Sequence, residues 1–153
     1  MTAWHQVSPG RGVLDVADPP LSDGRYHRQG GRPTWYGSSS EKGAWAELLR
    51  NPPQGIDQRE ARRRLGRVSI DVVALDLTSA RLLNALGLAR DDLTSRDRRI
   101  CLTVADVAAE AGFDALIAPS AADKDGTTLA VFGPAIHANA HDIVDYGVRT
   151  PPG

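Results

Sequence analysis

Three side chains in the first third of the chain have the chemistry needed to act on a nucleotide. Arg25 lies in a glycine-rich stretch, Tyr36 in an apolar stretch and Glu47 in a helix-forming stretch. A guanidinium group binds pyrophosphate through two parallel hydrogen bonds, a tyrosine stacks on a ring or hydrogen-bonds, and a carboxylate stabilises positive charge at C1 of a sugar. Together these roles suit cleavage of the N-glycosidic bond of a nucleotide.

Each of these residues also has an ordinary structural explanation. An arginine in a loop is usually solvated, a tyrosine in a strand usually fills space at a half-buried surface, and a carboxylate on a helix usually faces water. The residue types alone therefore leave both explanations open for Arg25, Tyr36 and Glu47.

Local patterns predict the elements that position these three residues. A strand is predicted near 3–7, and a long connection rich in glycine and proline follows over 9–31, of a length that is often functional. A second strand is predicted at 34–37, and Ser38–Glu41 then offers the N-cap of a helix. The apolar face of that helix consists of Ala44, Trp45, Leu48 and Leu49.

The rest of the chain alternates between the two kinds of element. The patterns predict a charged helix-prone segment at 58–65 and one or two strands within 68–77. A helix that Ser79 caps is predicted to end near Leu86, and a polar loop at 89–98 and a helix at 100–111 follow. Strands are predicted at 114–118, 127–132 and 143–148, the last at a sheet edge. In the helix at 100–111, Val104, Val107 and Ala108 are expected to face inwards, and Gly112 ends it. This order predicts a small α+β or mixed α/β fold.

Length and composition restrict the class of protein. The 153 residues suffice for one domain, so we predict a single domain over 1–153, with a core at about 4–132 and a C-terminal strand and tail at 133–153. With 18 basic and 19 acidic residues, the chain lacks the basic excess of a general nucleic-acid binder. No membrane span or signal pattern is apparent, and a cytoplasmic protein is expected.

Several motifs occur in the order found in one known family. The segments are Gly24-Arg25-Tyr26, Pro33 to Ser38, Ala44 to Leu49, Ile70 to Thr78 with Leu86-Gly87-Leu88, Gly112 to Ala121, and Leu129 to Phe132. This series resembles the signature of the RES-domain family, with Ala115 where a second glycine usually stands. The resemblance extends roughly from Trp4 to Phe132.

The resemblance implies a fold similar to that of ADP-ribosyltransferase toxins and an enzyme that cleaves the bond between nicotinamide and ribose in NAD. The acceptor in such proteins is inorganic phosphate, water or a protein side chain. We predict phosphorolysis, with ADP-ribosyl transfer to a protein as one alternative and a catalytically impaired nucleotide- or antitoxin-binding module as another. The resemblance also implies inhibition by a helix-turn-helix-type antitoxin protein, and a homodimer is left open.

The same resemblance suggests a role for each site residue. Arg25 would anchor a phosphate or the ribose, Tyr36 would contact the nicotinamide or the ribose, and Glu47 would be the main electrostatic stabiliser. Ser120 would contact the ligand, and its alternative role is to cap the turn at 121–126.

The chain departs from the family pattern at several of these positions. His5 stands where many members carry an arginine, and a mostly neutral imidazole would bind a phosphate more weakly. His27 replaces an amide, and Leu102 cannot replace the hydrogen bond of a glutamine. Arg99 is a candidate for an additional phosphate contact, with an exposed helix arginine as the alternative.

Other candidate motifs have simpler explanations. His137 and His141 have helical spacing for a metal, but no strong third ligand lies between them. Cys101 has no second cysteine and is expected in the core. Arg62-Arg63-Arg64 is expected on a solvated helix face, with an acidic partner surface as the alternative. No metal is therefore predicted, and NAD is expected as the substrate.

Overall fold

The structure is a computed structural model, which describes residues 1–51 and 60–152. Within these residues, seven strands form one sheet: β1 (Thr2–Val7), β2 (Thr34–Ser38), β3 (Arg63–Ile70), β4 (Ala74–Asp76), β5 (Ala115–Pro119), β6 (Thr127–Phe132) and β7 (Ala140–Arg149). Their order across the sheet is β4-β5-β6-β2-β1-β3-β7. Neighbouring strands are antiparallel except β4 and β5, which are parallel, so the sheet is mixed.

Helices accompany this sheet throughout the described part of the chain. They are α1 (Glu41–Arg50), α2 (Ala80–Leu86), α3 (Arg90–Thr94), α4 (Arg99–Glu110) and α5 (Ala135–Asn139). Ser40 caps α1 by accepting a hydrogen bond from the backbone N–H of Gly43 at 3.0 Å, and Ser79 caps α2 in the same way. The prediction of a mixed α/β domain is confirmed.

The two faces of the sheet are covered by different elements. Helices α2, α3 and α4 pack on one face, around Leu116, Ala130 and Phe132. On the same face, α1 packs through Trp45 and Leu48 against β3. The opposite face is covered by α5 and by the first part of the 9–31 connection, from which Val13, Leu14 and Val16 pack in the cluster around buried Trp35. We call the first the helical face and the second the loop face.

Two segments differ from their predicted structure. Residues 63–65 begin β3 rather than continue a charged helix, because β3 pairs with both β1 and β7 and the two ladders outweigh the local helix propensity; residues 58 and 59 lie outside the described part. Within the expected polar loop at 89–98, residues 90–94 form α3. Its Asp92 carboxylate accepts a hydrogen bond from the Ala89 N–H, and Leu93 is fully buried.

Three smaller corrections concern which residues face the core. In α4, Val107 is 56% exposed, and Cys101 and Ala105 are buried together with Ala108. Leu49 is exposed at the end of α1. Strand β7 lies at the sheet edge as predicted but begins earlier, at Ala140. No helix in the described ranges is long and apolar enough to cross a membrane.

Candidate functional site

A cleft of about 460 Å³ opens on the helical face, between α1, the glycine-rich connection and the start of α4. Small-ligand pockets typically measure about 300–1,000 Å³, so this cleft is large enough for a ligand. Its walls consist of Trp4, His5, Gln6, Asp23, Gly24, Arg25, Tyr26, Tyr36, Gly37, Ser38, Ala44, Glu47, Asn51, Arg98 and Thr128. The structure therefore brings Arg25, Tyr36 and Glu47 together.

Glu47 reaches the cleft because of its place on α1. Ala44, Glu47 and Asn51 follow one another at helical spacing and form the stripe that lines the cleft. Trp45 and Leu48 form the neighbouring stripe, which packs against the sheet. The apolar residues of α1 thus orient the helix so that its one cleft-facing carboxylate is Glu47.

The Glu47 carboxylate is half-buried and carries no ion pair with a described residue. Burial raises the pKa of Glu47 above its ordinary value, while the charges of Arg25 and Arg50 lower it. Its only hydrogen bond within the described ranges comes from the Ser120 hydroxyl, at 3.5 Å from Oε1. The carboxylate therefore has no cationic side chain in direct contact among the described residues.

Arg25 ties the glycine-rich connection to the last turn of α3 and to Ser95, which follows that helix. Its Nη1 donates to the carbonyl oxygens of Leu93 at 3.3 Å and Ser95 at 2.7 Å. The Nη2 and Nε atoms make no hydrogen bond to the described part of the protein. One edge of the guanidinium group is thus used for positioning, and the other is free for a ligand.

The hydroxyl of Tyr36 belongs to a hydrogen-bonded chain. It accepts from the backbone N–H of Tyr26 at 3.0 Å and lies 2.6 Å from Nδ1 of His27, whose Nε2 lies 2.9 Å from the carbonyl oxygen of Ser22. A carbonyl oxygen only accepts, so Nε2 carries the proton and Nδ1 accepts from Tyr36. Burial lowers the pKa of His27 and raises that of Tyr36, so both side chains are neutral at pH 7. The Tyr36 hydroxyl therefore donates its proton to His27 and not to a ligand.

Gly24 allows the His27 ring to take this position. A Cβ atom at Gly24 would lie 2.1 Å from Cε1 of His27, closer than any van der Waals contact. The glycine of the Gly24-Arg25 motif is therefore required by the packing of the connection on itself.

The prediction that His5 contacts the nucleotide through its side chain needs correction. His5 contributes to the cleft wall, but successive side chains of a strand alternate between faces. Its ring turns to the loop face, where it stacks on Trp35 with 4.7 Å between ring centroids. Nδ1 donates to the carbonyl oxygen of Tyr36 at 2.6 Å. Burial lowers the pKa of His5 to about 4, so the imidazole is neutral and cannot replace an arginine.

Ser120 is placed behind Glu47 rather than in the cleft wall. Its hydroxyl oxygen accepts from the backbone N–H groups of Ala122 and Asp123 and donates to Glu47. The turn-capping role is therefore present, and the contact with the carboxylate is added to it. A direct contact of Ser120 with the ligand stays a prediction.

Arg99 is not in the cleft, which corrects its predicted role. It is exposed, and its guanidinium group forms several hydrogen bonds with Asp97, the shortest at 2.6 Å. It borders a separate apolar groove between α2 and α4. The preceding residue, Arg98, lines the cleft instead, because it is the N-cap of α4 and its side chain leaves in another direction.

Sequence reasoning also missed Trp4, Gln6, Asp23 and Asn51 as cleft residues. The period of two along β1 is a signal for two of them, because it separates Trp4 and Gln6 from His5. Among the described residues, no three histidine, cysteine, aspartate or glutamate side chains come together as a metal site. His137 lies in α5, and His141 lies in β7, where it contacts Asp71 and Asp142.

Comparisons with known proteins indicate the family of this chain. The family model of the RES domain matches residues 3–149. The probable NAD(+) phosphorylase Rv3189 of Mycobacterium tuberculosis is 45% identical over 138 residues, which cover 90% of this chain. The chain spans about 65% of the length of that curated relative.

A solved structure shares the fold. The crystal structure of the M. tuberculosis MbcT–MbcA toxin–antitoxin complex contains a chain that superposes with a TM-score of 0.76 at 22% sequence identity. The match covers 95% of this chain and 84% of that one. Together with the match over residues 3–149, these similarities confirm the resemblance noted in the sequence: the chain belongs to the RES-domain family.

Proposed function

We propose that this protein binds NAD in the cleft and cleaves the bond between nicotinamide and ribose, with inorganic phosphate as the acceptor. The observation that carries the proposal is the half-buried carboxylate of Glu47, which has no ion pair with a described residue and shares one cleft with Arg25 and Tyr36. The similarity to a probable NAD(+) phosphorylase supports the choice of substrate and acceptor.

The reaction needs charge stabilisation more than proton transfer. When the C–N bond to C1 of the ribose breaks, neutral nicotinamide leaves with the bonding electron pair, and positive charge develops on the sugar. A phosphate oxygen then forms the new bond to C1, which produces ADP-ribose 1-phosphate. Since nicotinamide needs no proton to leave, a site without a general acid is sufficient for this chemistry.

The described residues suit this requirement. In the proposed reaction, the Glu47 carboxylate stabilises the positive charge that develops on the ribose, and burial strengthens that interaction. The free edge of Arg25 binds phosphate oxygens. Tyr36 offers its ring and one lone pair of its hydroxyl, because its proton is held by His27.

Nicotinamide release by the purified protein tests this proposal. Protein and NAD are incubated with and without inorganic phosphate, and nicotinamide and ADP-ribose 1-phosphate are quantified by chromatography. Release that requires phosphate supports phosphorolysis, whereas release without phosphate and with free ADP-ribose contradicts that acceptor. The absence of any release under both conditions would contradict the enzymatic function.

The isosteric variant Glu47→Gln tests the role of the carboxylate. We expect nicotinamide release to fall by about 100- to 1,000-fold, the range found when one preorganised stabilising group is removed. Glu41→Gln on the same helix is the matched control and should leave the rate unchanged, because Glu41 lies outside the cleft. Retained activity in Glu47→Gln would overturn the assignment.

We further infer that a protein antitoxin of the helix-turn-helix type inhibits this enzyme in the cytoplasm. The toxin–antitoxin complex that contains the structurally similar chain supports a partner of this kind. Co-purification with the product of the neighbouring gene, followed by the nicotinamide-release assay on the complex, tests the inference. An unaltered rate in a stable complex would contradict inhibition.

A further inference from the structure

We propose that Arg98 forms a phosphate subsite of the cleft, where its guanidinium group binds a phosphoryl oxyanion of the reactants. This inference rests on the proposed function and adds to it a residue outside the motifs that identify the family. The ligand is either the pyrophosphate of the dinucleotide or the inorganic phosphate acceptor, and the experiment below distinguishes them.

Arg98 differs from its neighbours in having no protein partner within the described ranges. Arg25 and Arg50 donate to backbone carbonyl oxygens, and Arg99 is held by Asp97. The Arg98 side chain is partly buried in the cleft wall, yet it makes no hydrogen bond or ion pair to any described residue. It also makes no capping bond to α4. A partly desolvated cation without a protein partner is satisfied only by water or by a bound anion.

The charge of Arg98 acts on the centre of the cleft. Burial is the main influence on the pKa values of Glu47, Tyr36 and His27, and the Arg98 charge lowers all three. Arg98 lines the same cleft as Glu47 and Tyr36, and charges in a solvated protein act on one another mainly within about 8–10 Å. Its influence therefore agrees with its place in the wall beside the proposed reaction centre.

The composition of the cleft wall explains why a second cation matters here. Arg25 and Arg98 are the basic residues of the wall, and they face the carboxylates of Asp23 and Glu47. One edge of Arg25 is already used by the carbonyl oxygens of Leu93 and Ser95. The ring of His5 is neutral and points to the loop face. Arg98 thus supplies the only fully free guanidinium fork among the described residues of the wall, and such forks match phosphate oxygens.

The test compares Arg98→Met and Arg98→Lys with the control Arg99→Met. The two arginines are adjacent, so both methionine variants remove one positive charge from the same segment, but only Arg98 lines the cleft. Initial rates of nicotinamide release are measured as NAD and inorganic phosphate are varied separately. Binding of ADP-ribose and of inorganic phosphate is measured by titration calorimetry, which needs no turnover, and circular dichroism confirms that each variant is folded.

We expect Arg98→Met to raise one KM by about 10- to 100-fold, the effect of losing hydrogen bonds from a charged group. Arg98→Lys should be intermediate, because lysine keeps the charge but loses the fork, and Arg99→Met should change neither KM by more than about twofold. A higher KM for phosphate assigns the subsite to the acceptor. A higher KM for NAD with weaker ADP-ribose binding assigns it to the pyrophosphate.

Failure of this inference is distinguishable from failure of the proposed function. If the wild-type protein is active and folded Arg98→Met has unchanged KM values and binding constants, the phosphate subsite is overturned and the function stands. If the wild-type protein releases no nicotinamide, the function is overturned, and the calorimetric titrations alone decide on Arg98. In that case, the subsite is contradicted if Arg98→Met binds ADP-ribose and inorganic phosphate as tightly as the wild-type protein does.

Discussion

The two faces of the sheet are made by the same strands but have opposite chemical character. On the helical face, Glu47 and Arg98 line an open cleft and form no ion pair with any described residue. On the loop face, the Trp35 indole N–H donates to the Val13 carbonyl at 2.9 Å, and His5 is kept neutral against the Trp35 ring. Within β1 and β2, the alternation of side chains places Trp4 and Tyr36 at the cleft and stacks His5 and Trp35 on the opposite face.

The largest expected effect tests the structural character of the loop face. Trp35→Ala should lower the free energy of unfolding by about 3–5 kcal/mol, because Trp35 is 2% exposed and its truncation removes buried apolar contacts and leaves a cavity. Chemical denaturation measured by fluorescence gives this value. Val73→Ala, at an exposed site, is the control and should cost less than about 0.5 kcal/mol. A loss below about 1 kcal/mol for Trp35→Ala would mean that the loop face does not stabilise the fold.

The second effect concerns the pH dependence of stability on the loop face. Unfolded His5 takes up a proton near pH 6.5, whereas folded His5 does so only near pH 4. The unfolded state therefore binds more protons between these values, so the stability from neutral His5 is complete above about pH 6.5 and is lost as the pH falls towards 4. Since one pKa unit corresponds to about 1.4 kcal/mol, the loss is a few kcal/mol at most.

The variant His5→Phe checks this pH dependence. Phenylalanine keeps an aromatic ring against Trp35 but cannot titrate, so thermal melts from pH 7 to pH 4.5 should show a smaller fall in Tm than the wild-type protein. His137→Asn controls for the loss of a histidine at an exposed position. An equal fall in Tm for the wild-type protein and His5→Phe would show that His5 is not the group responsible.

A third effect tests the hydrogen-bonded chain of the helical face. His27→Ala removes the acceptor of the Tyr36 hydroxyl proton and should lower kcat/KM for NAD by about tenfold, the equivalent of one hydrogen bond. His27→Asn restores an acceptor and should recover part of the loss, and exposed Gln29→Ala is the control. If His27→Ala retains the wild-type kcat/KM, the role of Tyr36 does not depend on its hydrogen bond to His27.

The smallest expected effect is on the pH at which kcat/KM falls on the acidic side of its pH profile. Glu47 must be ionised to stabilise positive charge, so the rate should fall as the pH drops through its pKa, which burial raises above 4.5. The hydrogen bond from Ser120 lowers that pKa, so Ser120→Ala should move this fall to higher pH by less than about one unit. Profiles of kcat/KM are compared over the range in which circular dichroism is constant; a fall that moves to lower pH would contradict this role of Ser120.

The amino-acid sequence by itself determined the local elements and the motif residues. Ser40 and Ser79 cap helices where serine precedes an apolar periodic stretch, and Gly112 has the positive φ that ends a helix. The order of motifs was sufficient for the family, and the helical spacing on α1 was sufficient to bring Glu47 to one side of that helix. These features depend on neighbouring residues, which is why a single sequence contains them.

Only the tertiary structure decided which of two adjacent residues enters the cleft. His5 and Arg99 have suitable side chains, but strand alternation turns His5 to the loop face, and Asp97 holds Arg99 in solvent. The structure places Trp4 and Arg98 at the cleft instead. Likewise, residues 63–65 are helix-prone by composition but join β3, because pairing partners more than 50 residues away supply the ladder. Directions of side chains and long-range pairing depend on packing, which local sequence patterns do not specify.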